Sequence, residues 1–235
     1  MTIRNMHAAR RAFVLGLASL AVAPLGARDA FAAAWSGAGL LDLLTGASDR
    51  ALDKLAAPGA FYADPAVRIG LPVIGKAGRS GGALGSLLGM GEQLGFADGL
   101  TRKLNDAAGS AARAAKPAFH DAIHGLSLRD VPDIVSRNDG ATQYLRGSAG
   151  PALNADLRPL VDSALGDVGA FGQLDTLSRR HKVLAAAGIT RSGLTNSVTE
   201  QALNGIFRYI GNEEAQVRAN PVGTAGSLLK GILGD

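Results

Sequence analysis

The chain has 235 residues, 47% of them hydrophobic, 19% charged and 5% aromatic, with no cysteine and a formal net charge of +4. So large an apolar share excludes a wholly disordered chain, and the missing cysteines exclude disulfide frameworks, thiolate zinc sites, cysteine-linked lipids and cysteine nucleophiles. The length suits one compact domain, and the positive charge raises nucleic acid as a partner to be tested against the rest of the sequence.

Residues 1–32 have the layout of a secretory signal peptide: basic groups at Arg4, Arg10 and Arg11, an apolar run over 12–25, and small residues at Ala30 and Ala32 that mark cleavage before Ala33. At a rise of about 1.5 Å per residue that run spans about 21 Å, short of the roughly 30 Å hydrocarbon core, so no stable transmembrane anchor is expected in the mature protein. The order Arg10-Arg11-Ala12-Phe13 resembles a twin-arginine signal, with Arg10, Arg11 and Phe13 as its recognition residues and a mild apolar stretch diluted by Gly16, Ala18 and Ser19. General secretion is the other route. Either one implies the export machinery as a partner and a periplasmic or secreted location. Removing residues 1–32 takes away four basic residues and one acidic one and leaves a net charge of +1. Phosphate neutralisation needs a cationic excess, so no nucleic-acid partner is expected.

The mature chain, 33–235, reads as helical almost throughout. Leu41, Leu44, Ser48, Ala51, Leu52 and Leu55 recur at three- and four-residue intervals, and Pro58-Gly59 stops that helix. Shorter helices are expected at 98–114, 117–125, 128–137, 141–147, 173–187 and 224–233. A second stripe, Leu153, Leu157, Leu160, Val161, Ala164, Leu165 and Val168, predicts a helix begun at Pro151 and kinked at Pro159. A third runs through Val198, Ala202, Leu203, Ile206, Tyr209, Ile210 and Val217. Ser197 and Glu200 would cap its start, and Asn220-Pro221 its end. Between the first helix and 98, Pro65 and Pro72 predict an extended loop, from about 58 to 80. The glycine-rich stretch 78–99 is either flexible or forced helical by packing, in which case Gly81, Gly85 and Gly89 form one smooth stripe.

Few residues promise chemistry. Gly70 to Lys76 approaches a phosphate-binding loop but has Ala77 where a hydroxyl is required, and Gly78-Arg79-Ser80-Gly81-Gly82 has nucleophile-elbow spacing without a visible parallel sheet to support it. His120 and His124, with Asp121 between them, lie one helical turn apart, and two imidazoles so placed could share a metal. Against this, Phe119, Ala122 and Ile123 make the buried side of that helix and leave both histidines to solvent. Tyr62 and Arg68 in the loop, with Glu213 and Glu214 near the last helix's end, are candidates for a ligand or partner surface.

Four phrases together resemble a family of exported, all-helical bacterial proteins grouped as a domain of unknown function. They are Pro58-Gly59-Ala60-Phe61-Tyr62-Ala63-Asp64-Pro65-Ala66-Val67-Arg68-Ile69, Ala115-Lys116-Pro117-Ala118-Phe119, Ala141-Thr142-Gln143-Tyr144-Leu145, and the run from Val198-Thr199-Glu200-Gln201 to Arg218-Ala219-Asn220-Pro221. The resemblance covers about 38–233 and implies a single helical domain outside the cytoplasm, with no established activity, cofactor or catalytic residue. It weakens the metal reading, because family members usually place an apolar and a basic residue at positions 120 and 124.

The expectation is thus an all-α, single, helical-bundle-like domain after a signal peptide. Its expected role is a non-enzymatic binding or envelope-associated module without a cofactor, with an envelope component as partner. The alternatives are a metal-binding protein or metal-dependent hydrolase using His120 and His124, and a lipid or membrane-surface binder using 81–97 and 228–233.

Overall fold

The computed structural model describes residues 37–71, 96–127, 134, 137–180 and 190–219. These form α1 (Gly37–Ala56), α2 (Ala60–Ala63), α3 (Phe96–Ala114), α4 (Lys116–His124), α5 (Gly140–Asp167), α6 (Ala170–Arg180) and α7 (Arg191–Ala219), with no strand among the described residues. The protein is all-α. The signal-peptide segment, the glycine-loop motifs beyond Leu71, the glycine stripe, most of the helix expected at 128–137 and the helix expected at 224–233 lie outside the described residues.

Four long helices form the bundle. α1 and α5 each pack against both α3 and α7, so the four alternate around a shared core. Leu40, Leu44, Leu52 and Leu55 of α1 meet Leu104, Ala108 and Ala112 of α3, Leu153, Leu157 and Val161 of α5, and Val198, Ile206 and Ile210 of α7 in that core. Gly109 of α3 lets it approach the end of α1 closely, since a Cβ there would lie 3.3 Å from the Leu55 carbonyl oxygen. α4 lies along α1, joined by an ion pair from Lys116 to Asp53 (2.7 Å) and a hydrogen bond between His120 Nε2 and Asp49 (2.9 Å), a register that makes the two helices antiparallel. Phe119 of α4 meets Phe207 of α7 edge to face at 6.0 Å.

Several helix boundaries differ from the sequence expectation. The helices expected at 141–147 and from Pro151 onward are one continuous helix, α5, in which Pro151 and Pro159 are interior positions. Each proline withholds one N–H, but both are exposed, so water can satisfy the carbonyl that loses its donor. The last helix begins before the expected Ser197–Glu200 cap. Thr190 caps α7 instead, its hydroxyl accepting the Gly193 N–H at 3.1 Å, while Ser197 accepts a bond from Gln201 inside the helix. The extended loop is interrupted by the short α2, entered through Gly59 at φ 74°, a left-handed conformation that suits glycine at the stop after α1.

After α2 the chain becomes a strap, residues 64–71, laid between α3 and α7. Asp64 turns it by accepting the Ala66 N–H at 2.9 Å, and Tyr209 of α7 donates to the same carboxylate at 2.8 Å. Two side-chain amides then grip consecutive backbone units. Asn105 of α3 accepts from the Ile69 N–H at 2.8 Å and donates to the Ile69 carbonyl at 2.9 Å. Gln201 of α7 does the same for Gly70, at 2.9 and 3.1 Å. Each clamp supplies the donor and acceptor that an extended backbone would find in a neighbouring strand. Close approach of the strap to α7 requires Gly205: a Cβ there would lie 3.1 Å from Phe61 and 3.2 Å from Val67.

Candidate functional site

The strap, the first turns of α5 and the outer face of α7 enclose an open cleft of about 730 Å³. Its floor is a polar stripe on α7, Gln201, Asn204, Arg208 and Asn212, at helical spacing. Arg68 comes from the strap, Gln143 and Arg146 from α5, and Asn138 and Asp139 from the turn before α5. Three guanidinium groups therefore line a cleft that holds one carboxylate.

Two of these arginines are anchored by only part of their donor set. Arg68 donates through Nε to the Tyr62 carbonyl at 2.6 Å and lies over the Tyr62 ring, 4.7 Å from its centre. Arg146 donates through Nη2 to the Asn204 side-chain oxygen and covers the Phe207 ring at 5.6 Å. A guanidinium has five N–H donors, so each keeps others free to meet a ligand. Arg208 is exposed and makes no hydrogen bond among the described residues. Asp64 feels its charge, but the Asp64 oxygens are engaged by Ala66 and Tyr209. Those two bonds, the backbone one foremost, hold the Asp64 carboxyl below the usual aspartate range. Asp139, the one carboxylate lining the cleft, accepts from the Gln143 amide at 2.9 Å.

Of the four residues expected to form a ligand surface, only Arg68 lines this cleft. Tyr62 donates its hydroxyl to Asp98 of α3 and lies under Arg102 as well as Arg68, tying α2 to α3; the bond to Asp98 raises the Tyr62 pKa. Glu213 is buried and bridges α7 to α1 through Arg50 (3.0 Å) and Lys54. Burial pushes its pKa up, but the hydrogen bonds and charges of Lys54 and Arg50 outweigh that effect and leave it below the usual glutamate range. Glu214, fully buried, occupies the N-terminus of α5. It accepts the N–H of Ala141 at 3.0 Å, the N–H of Thr142 at 2.8 Å and the Thr142 hydroxyl at 2.6 Å, and pairs with Arg218. Here a carboxylate from another helix does the work of an N-cap.

On α4, Phe119 and Ile123 are buried, His120 is half-buried against Asp49, and Asp121 and His124 are exposed. The two imidazole centres lie 6.4 Å apart. No group of three or more histidine, aspartate or glutamate side chains stands ready to hold a metal among the described residues. Residues 228–233 and most of 81–97 lie outside the described residues, and no described helix is long and apolar enough to cross a membrane.

A family model described as "Protein of unknown function (DUF4197)" matches residues 17–234. The chain belongs to the DUF4197 family. Neither the curated proteins nor the solved structures include a match to it. The family description carries no chemistry, so the functional reading of this DUF4197 chain rests on its own residues. The cleft's main contributors, Arg146, Asn204, Arg208 and Asn212, do not stand out in the sequence because no motif joins them. The signal that could have found them is the polar spacing of 201, 204, 208 and 212 on the face of α7 that the Val198, Ala202 and Ile206 stripe leaves outside.

Proposed function

We propose that the chain is an exported, non-enzymatic binding protein whose ligand seat is the cleft between the strap, α5 and α7. The observation that carries this reading is the cleft's make-up. It combines guanidinium and amide groups with a single carboxylate, and among its described lining residues there is no hydroxyl, thiol or imidazole to serve as nucleophile or base. Its volume falls in the range of small-molecule sites, about 300–1,000 Å³. The anchoring of the strap favours binding without rearrangement, since it is held at buried Ile69 and exposed Gly70 before any ligand arrives.

Export is the second part of the proposal and rests on the pattern of residues 1–32. Arg10 and Arg11 would engage the twin-arginine machinery, cleavage would follow Ala32, and the mature domain would work in the periplasm or outside the cell, in contact with an envelope component. Replacing both arginines by lysine should trap an uncleaved precursor in the cytoplasm; normal processing of that variant refutes the twin-arginine route.

Binding is tested by thermal melting of the protein with fractionated small-molecule extracts of its host cells, followed by mass spectrometry of the stabilising fraction. The expected result is a raised melting temperature and a compound recovered unchanged. Stabilisation by no fraction removes the binding reading, and recovery of a converted compound replaces it with catalysis.

A further inference from the structure

Three segments far apart in sequence bring one arginine each to the cleft: Arg68 from the strap, Arg146 from α5 and Arg208 from α7. A charge cluster of this kind is costly in repulsion unless an anion joins it. Asp139 offsets one of the three charges and is itself occupied by Gln143. Arg68 and Arg146 are held in place by the Tyr62 carbonyl and Asn204, which fixes their planes while leaving donors unused. Arg208 is exposed and has no hydrogen-bond partner among the described residues. Asn212, one turn further along α7, adds an amide on the same side.

We infer that this cleft binds a small molecule carrying more than one oxyanion group, carboxylate or phosphate, with Arg208 as its principal contact; the inference rests on the binding reading above. Guanidinium forks match the paired oxygens of carboxylates and phosphates, and the amides supply donors for the oxygens that remain. The size of the cleft, about 730 Å³, exceeds what one carboxylate or phosphate group would occupy, and three guanidinium groups set against one lining carboxylate leave room to balance more than one negative charge. A stacked sugar or nucleobase fits less well. The aromatic ring at the cleft, Phe207, is 3% exposed and already covered by Arg146.

Titration calorimetry on the full chain at low salt tests this, with citrate as the carboxylate probe, pyrophosphate as the phosphate probe and sorbitol as an uncharged control. Citrate, pyrophosphate or both should bind, with the preference between them identifying the source of the oxyanion; sorbitol should not. Arg208→Ala should weaken binding by about tenfold or more, the effect of losing a hydrogen bond to a charged group. Arg208→Lys should restore only part of it, because a point charge replaces a fork. Arg179→Ala, an exposed position on α6, should bind as the unaltered chain does. Asn212→Asp, which adds a carboxylate to the cleft, should weaken both anions and gives a second variant that does not depend on Arg208. Failure of both anions to bind, undiminished binding by Arg208→Ala, or sorbitol binding as tightly as the anions overturns the inference. If a neutral extract fraction stabilises the protein while citrate and pyrophosphate do not bind, the anion inference falls and the binding reading stands.

Discussion

At Glu213 and Glu214 the polar groups of α7 are sunk into the bundle and saturated with partners, whereas at Asn204, Arg208 and Asn212 of the same helix they face solvent beside an open cleft. The buried pair resembles a binding site when only sequence is considered, since adjacent acids near a helix end invite a ligand. In the fold their four oxygens are committed to α1, to α5 and to Arg218. A buried ion must be paired to be tolerated, and complete pairing removes it from chemistry with anything else. The exposed stripe carries the opposite balance, with donors in excess of acceptors.

The largest effect expected from breaking this contrast is that of Glu214→Ala. It would remove the carboxylate that pairs with Arg218, whose side chain is 7% exposed, and would take the acceptor from the N–H groups of Ala141 and Thr142. Removing one member of a buried ion pair costs about 3–5 kcal/mol. At about 2–4 °C per kcal/mol for a chain of this size, thermal melting should fall by roughly 10 °C. A fall of under about 2 °C would show that α5 does not depend on this cap.

A smaller effect separates the two amide clamps on the strap. Asn105 is 1% exposed, and Asn105→Ala leaves the Ile69 N–H and carbonyl without their partner, which costs about 1–3 kcal/mol. Gln201→Ala releases Gly70, which is exposed and rebonds to water, so the loss should stay under about 1 kcal/mol. Urea unfolding of the two variants gives the ratio. Equal losses would mean that burial does not set the strength of these clamps.

The helices were legible because the core is written in leucine and alanine at helical intervals, as in Leu44, Leu52 and Leu55 or Val198, Ala202 and Ile206. The boundaries of α5 and α7 were less so. Pro151 and Ser197 carry strong local signals for a helix start, yet tertiary packing of Leu145, Leu153, Leu194 and Val198 extends both helices past them. The strap was visible as a loop through Pro65, but not its clamps, since Asn105 and Gln201 meet it only after folding. For the same reason Arg68 was the single cleft residue singled out in advance. Its companions come from helices distant in sequence, and each alone looks like an ordinary solvated side chain.

Acid titration probes the buried region more gently. Lys54 and Arg50 overcome the desolvation of Glu213 and hold its pKa below the usual glutamate range. A depressed folded-state pKa means stability that is present above the unfolded pKa and lost as pH falls through the folded one. Glu213→Gln should therefore be less stable than the unaltered chain at pH 7, with the difference in urea midpoint shrinking as pH drops below the usual glutamate range. A difference that grows on acidification would reverse the assigned sign.

The smallest stability effect should come from the residue with the largest proposed role in binding. Arg208 is exposed, makes no hydrogen bond among the described residues and leaves the core untouched, so Arg208→Ala should change unfolding free energy by no more than about 0.5 kcal/mol. Removing one of three like charges from the cleft could make the sign of that small change favourable, most visibly at low salt, where screening is weakest. The useful measurement is urea unfolding at two salt concentrations without ligand. A loss above about 1.5 kcal/mol would place Arg208 with Glu214 among the residues that hold the fold together, and the contrast between the two parts of α7 would collapse. An unchanged or slightly raised midpoint would leave Arg208 retained at a cost in repulsion that the fold itself does not require, which is the behaviour of a side chain kept for something that binds.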